Sequence, residues 1–245
     1  MSDENNSEMK YLQDKLEEVS YNDKRFTFMC GNNKYIFGIV SPQGEETSLA
    51  KIMQYKTIFD TLKDMDYKIK LSFQKAIDNA YSNVVQKNFS VFQSGTEEET
   101  LSYYYIENAL FRTISLWEML AQLYRLYYKV KIEKKEVEYK KFFNSSISNY
   151  SFKIKAREIN SYLYQKDDIN LMGEWRGNHK FVNGCRNKMI HQNSPTVAAM
   201  SDYDINLKNH PVFFIKRIIE DYVVVSRFIN DILDKIDEEC IKEFS

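Results

Sequence analysis

The chain has 245 residues, 43% hydrophobic and 28% charged, enough to bury a substantial core in one large domain or two small ones. A formal net charge of −1 excludes a global field that would draw it onto nucleic acid or an anionic membrane, so any basic site must be local. No run approaches the roughly 18 apolar residues a membrane helix needs, and Met1-Ser2-Asp3-Glu4-Asn5 is the reverse of a secretory signal. Cys30, Cys185 and Cys240 are far apart and fall in no metal-ligand spacing, so the expectation is a cytoplasmic chain with unbridged thiols, no metal and no cofactor.

Gly (7) and Pro (3) are scarce beside Tyr (18) and Phe (16), which predicts long helices rather than many short strands. Residues 1–20 are polar, a frayed segment or a short helix around Met9–Glu18. Within 25–40, aromatic and β-branched runs flank Gly31-Asn32-Asn33 and predict a small N-terminal β-hairpin. From about Leu49 to Val85, Ile52, Tyr55, Phe59, Leu62, Met65, Ile69, Phe73, Ala76, Ala80 and Val84 form one stripe at helical spacing, unbroken or interrupted once. Thr96, three residues before Glu99, marks a helix start.

The helix from about Leu101 to Tyr128 is apolar nearly all round, so it must be central to a bundle or buried between subunits. Lys129 to Lys141 reads as a charged, solvent-exposed extension, and 144–149 as a loop. Helices over Ser151–Tyr164 and from Trp175 or Arg176 to His191 follow, the second stopped before Asn193-Ser194-Pro195. Pro211 opens the last helix, with Asn209 as a capping candidate and Phe214, Ile218, Tyr222, Val225, Ile229, Ile232 and Ile236 as its stripe. The whole, 1–245, reads as a single all-α domain, a helical bundle over 49–240 decorated by the hairpin.

One segment departs from the composition around it. The 27 residues between Glu174 and Asp202 contain no Asp or Glu, where the chain's average would place about four. They carry Arg176, Lys180, Arg186 and Lys188, with His179 and His191, a local concentration of positive charge suited to phosphate. His179, Asn183, Asn187 and His191 recur every four residues and predict one polar strip, with Arg186 one edge over. Phe181, Val182, Cys185 and Met189 are expected on the opposite, core-facing side. Neither a Gly-rich phosphate loop nor a paired-carboxylate metal site accompanies them. What remains is a histidine able to move protons near pH 7 and an arginine able to neutralise an anionic transition state. Those two suffice for cleavage of RNA by its own 2′-hydroxyl.

Arg186-Asn187-Lys188-Met189-Ile190-His191 resembles the R-x4-6-H motif of HEPN domains, including the polar residue that commonly follows the arginine. Ile114-Ser115-Leu116-Trp117-Glu118-Met119-Leu120 resembles the central helix of stand-alone HEPN proteins. The resemblance covers roughly 49–240 and leaves the hairpin and the 129–141 extension unexplained. It implies a helical bundle, a homodimer, and a metal-independent endoribonuclease of bacterial defence, toxin–antitoxin or stress response, with RNA as substrate and an antitoxin or other protein as partner. Arg186 and His191 would be catalytic. Asn187, Lys188, Glu118 and His179 would bind or orient substrate.

Each residue also has a plainer reading. Arg186 reads as a surface arginine or a clamp on helix carbonyls, His191 as a helix-end histidine interacting with terminal carbonyls, and Asn187 as an ordinary solvated side chain. Glu118 is either a buried acid paired with Arg186 or a flanking charge. His179 reads as a surface residue, and Trp117 and Trp175 as core. The rival function is a non-catalytic helical module that binds RNA, nucleotide or a partner protein.

Overall fold

A computed structural model describes residues 3–26, 29–30, 33–34, 48–144, 150–169, 175–191, 196–201 and 204–244. The chain is predominantly helical, and among the described residues its helices are α1 (Asp3–Glu17), α2 (Ser48–Ala80), α3 (Asn83–Asn88), α4 (Glu97–Tyr127), α5 (Tyr139–Phe143), α6 (Tyr150–Leu163), α7 (Asn178–His191) and α8 (Pro211–Phe244). Among the described residues three antiparallel strand pairs of two or three residues each interrupt them: β1–β2 (Met29–Cys30 with Asn33–Lys34), β3–β4 (Asp168–Ile169 with Trp175–Arg176) and β5–β6 (Ala199–Ser201 with Asp204–Asn206). Most of the hairpin expected over 25–40 lies outside the described residues. Arg25 and Phe26, expected in its first strand, form a turn in which Phe26 has φ 56°.

The apolar stripes find partners except at Val84, which is exposed while its neighbour Val85 is buried. Helix α4 runs through the middle, packed against α2 and α8, with Ile106, Leu110, Leu116, Trp117, Leu120 and Tyr124 buried. Burying each such side chain contributes roughly 1.5–3 kcal/mol. Tyr104 (58% exposed) and Phe111 (40%) are left on its outer side. The long N-terminal stripe breaks at Tyr81-Ser82, where the Ser82 side chain accepts from the Val85 N–H and starts α3 afresh. Residues 3–20 are held more firmly than their polarity suggested, because Leu12, Leu16 and Val19 are buried in the core.

Caps explain several boundaries. Thr96 accepts from the Glu99 N–H at 3.2 Å, as its spacing required. Pro211 is the first residue of α8, but the nearby acceptor is His210 Nδ1, 3.3 Å from the Val212 N–H, rather than Asn209. Most of the 129–141 segment is exposed as expected, but it does not continue the helix. Helix α4 ends at Tyr127 and Lys129 takes φ 51°, so the chain turns back. It then enters α5, where Tyr139, Phe142 and Phe143 are buried against α4 and α6. Its charge density hid an aromatic anchor. Among the described residues no helix is long and apolar enough to cross a membrane.

Candidate nucleic-acid site

Helix α7 carries the motif, and its first turn is fixed by three devices. Gly177, just before it, has φ +70°, and a Cβ there would lie 2.5 Å from the backbone of Asp167, so only glycine fits this close approach. Arg217 of α8 is almost fully buried. It donates to Asp167 Oδ1 at 2.7 Å and to the Arg176 carbonyl at 3.2 Å, with its guanidinium over the rings of Trp175 and Phe181. Two neighbouring acids of α8 then hold two neighbouring residues of α7. Asn178 donates to Glu220 Oε2 at 2.6 Å, and His179 Nδ1 lies 3.3 Å from Asp221 Oδ2.

The polar strip begins in the core. His179 is fully buried, Asn183 half-buried and Asn187 exposed. Residues four apart advance about 40° round a helix, so the strip spirals about 80° from His179 to Asn187 and leaves the interior as it goes. His179 is therefore a core residue, contrary to the surface reading. Val182 and Cys185 are buried and Phe181 and Met189 half-buried, as expected of the opposite side. Burial pushes the Cys185 thiol up to about 12, which makes it an inert packing residue.

His179 belongs to a buried network that sequence reasoning missed. Asp221 accepts from Trp117 Nε1 at 3.1 Å and from the Tyr162 hydroxyl at 3.0 Å, besides facing His179. With Nδ1–H donated to the carboxylate, His179 Nε2 accepts the Tyr139 hydroxyl at 3.0 Å. Tyr139 also reaches Asn183 Oδ1 at 3.4 Å, and its ring stacks on Trp117. A signal was present in the sequence. Asp221 sits on the apolar stripe of α8, between Ile218 and Val225, and a carboxylate there needs buried donors.

Tyr139 links this network to the motif. Its backbone N–H, at the start of α5, donates to Glu118 Oε2 at 3.2 Å. Glu118 is half-buried, and burial raises its carboxyl above the usual range, with the Tyr139 N–H and the charges of Arg186 and Lys140 opposing. Neither original alternative for Glu118 fits fully. Its direct partner is a helix-start N–H, while Arg186 acts on it through its charge.

Arg186, half-buried, falls seven residues after His179 and three after Asn183, on the arc that faces α5. It donates to Asn187 Oδ1 at 3.1 Å. Lys180, Asn187 and Lys188 are exposed. His191 is the last residue of α7, and its side chain lies outside the described residues. The helix bears no acid. Among the described residues no group of three or more His, Cys, Asp or Glu could hold a metal ion. Compared with protein-family models, with curated proteins and with solved structures, the chain finds no match in any of the three.

Proposed function

We propose that this chain is a HEPN-type, metal-independent endoribonuclease acting in the cytoplasm of a bacterium, in defence, toxin–antitoxin function or stress response. The observation that carries it is α7, an acid-free helix with Lys180, Asn187 and Lys188 in solvent and Arg186 at its inner edge. Arg186 neutralises the charge that develops on phosphorus when a 2′-hydroxyl attacks the neighbouring phosphodiester. His191 exchanges the protons, Asn187 and Lys188 hold the backbone, and Glu118 holds the start of α5 against the site through the Tyr139 N–H. His179 is reassigned from substrate to support, since it is buried beneath the site.

The reaction needs one base to deprotonate the 2′-oxygen and one acid to protonate the leaving 5′-oxygen. Positions 186 and 191 are five residues apart, about 140° round a helix at ~100° per residue. Two copies of α7, each lending an arginine and a histidine, meet that demand more readily than one. The chain is accordingly a homodimer, with Tyr104 and Phe111 among the apolar side chains available for contact. Light scattering should give twice 29.2 kDa at micromolar concentration, and a monomer contradicts the pairing.

The direct test is incubation of labelled RNA with purified protein in EDTA. Products ending in 2′,3′-cyclic phosphate are expected. Cleavage abolished by EDTA and restored by a divalent ion removes the mechanism. Binding without cleavage leaves the rival, a non-catalytic RNA-binding module.

A further inference from the structure

The 129–141 segment, which the family resemblance leaves unexplained, supplies a second wall to the Arg186 site. Tyr139 is held from three sides: its hydroxyl by His179 and Asn183, its backbone N–H by Glu118, and its ring by Trp117. That anchoring fixes the next residue, Lys140, which is half-buried with its ammonium 5.8 Å from the Tyr139 ring centroid. Arg186 lies three residues on from Asn183, which the Tyr139 hydroxyl reaches, and its charge acts on both Lys140 and Glu118.

Charge makes this an unusual spot. The Lys140 ammonium is pulled below its ordinary pKa, first by burial and further by Arg186, with Glu138 and Glu118 opposing. Glu138 is engaged by Lys141 at 2.5 Å, and Glu118 receives the Tyr139 N–H. Among the described residues neither Lys140 nor Arg186 lies within 4.0 Å of a carboxylate oxygen. Two partly desolvated cations that repel each other, with the Glu138 carboxylate already paired to Lys141 and the Glu118 carboxyl raised, are stabilised by an anion bridging both heads. A phosphodiester has the charge and the paired oxygens to do this.

We infer that Lys140 and Arg186 together bind one backbone phosphate of RNA, with Lys140 as a substrate-binding residue contributed by α5. This rests on the endoribonuclease proposal and adds a residue to its site. The guanidinium supplies the planar fork and the ammonium a second point charge, so the phosphate is held from two helices at once.

The test uses a fluorescent, fully 2′-O-methylated RNA oligomer, which lacks the nucleophile and cannot be cut, titrated with the full-length protein in EDTA over a range of KCl. Lys140→Gln should weaken binding and make the slope of log K against log[KCl] shallower by about 0.7, the loss of one single-strand phosphate contact. Lys140→Arg should restore both, and Lys135→Gln, an exposed change in the same segment, should alter neither. Adenosine 5′-monophosphate and inorganic phosphate are added as competitors to separate a nucleic-acid chain from a free anion as the ligand. Displacement by either at micromolar concentration overturns the RNA assignment in favour of a small phosphate ligand. An unchanged slope for Lys140→Gln, with or without weaker binding, overturns the phosphate contact while the cleavage assay in EDTA still stands or falls alone. Failure of the parent protein to bind the oligomer at low salt overturns this inference, and absence of cleavage overturns the proposal beneath it.

Discussion

Arg186→Ala and His191→Ala should each slow RNA cleavage by roughly 10²–10⁴-fold, with little change in melting temperature. A proton carrier contributes about 10²–10⁴ in rate, and a preorganised charge on a developing oxyanion about 10²–10³. The structural cost is small by comparison. Arg186 is half-buried and its hydrogen bond goes to exposed Asn187, so its truncation opens no core cavity. The loss should stay well below the ~2–5 kcal/mol of a large core deletion. Removing Arg186 also removes a charge that holds the Glu118 carboxyl down, so that acid should titrate at still higher pH in the variant. Single-turnover rates and thermal unfolding followed by circular dichroism separate these effects. Variants that melt many degrees lower and lose activity in proportion would make both residues structural, and the binding-module alternative would then be preferred.

The largest loss of stability is expected at Asp221. Asp221→Ala leaves Trp117 Nε1, the Tyr162 hydroxyl and His179 Nδ1 buried without their acceptor. Each orphaned buried donor costs about 1–3 kcal/mol, and breaking a buried charged network about 3–5 kcal/mol. For a chain of this length that corresponds to a fall in melting temperature on the order of 10 °C. His179→Ala should cost less, about 1–3 kcal/mol, because the carboxylate keeps two of its donors. A surface histidine would tolerate the change. Thermal unfolding decides: Asp221→Ala melting within 2 °C of the parent would mean that the network contributes little to the fold.

Fold and site were legible to different degrees for a physical reason. Periodicity reports which face of a helix is apolar, and α2, α4 and α8 have faces too consistent to misread. The depth at which α7 enters the bundle is set elsewhere. Gly177, Arg217 and the adjacent acids Glu220 and Asp221 sink its first turn, and no local pattern around His179 carries that information. Residues 129–141 hid a feature of the opposite kind. Their lysines and glutamates do lie mostly in solvent, while Tyr139 among them, with Phe142 and Phe143 just beyond, is an anchor. Asp221 was the available clue, a carboxylate on a core stripe that calls for buried donors from other helices. Arg186, Asn187 and Glu118 were found from charge pattern and motif, but no pattern in the sequence marks Tyr139 and Lys140 as their neighbours.

In the proposed reaction the RNA's own 2′-hydroxyl is the nucleophile. The most direct test is an RNA oligomer cut at a mapped position, compared in EDTA with the same oligomer carrying a single 2′-deoxyribose on the 5′ side of that bond. The deoxy oligomer should remain uncut at that position, while the ribose oligomer yields a 2′,3′-cyclic phosphate end. Equal cleavage of the two oligomers would contradict 2′-hydroxyl attack and, with it, the roles given to Arg186 and His191.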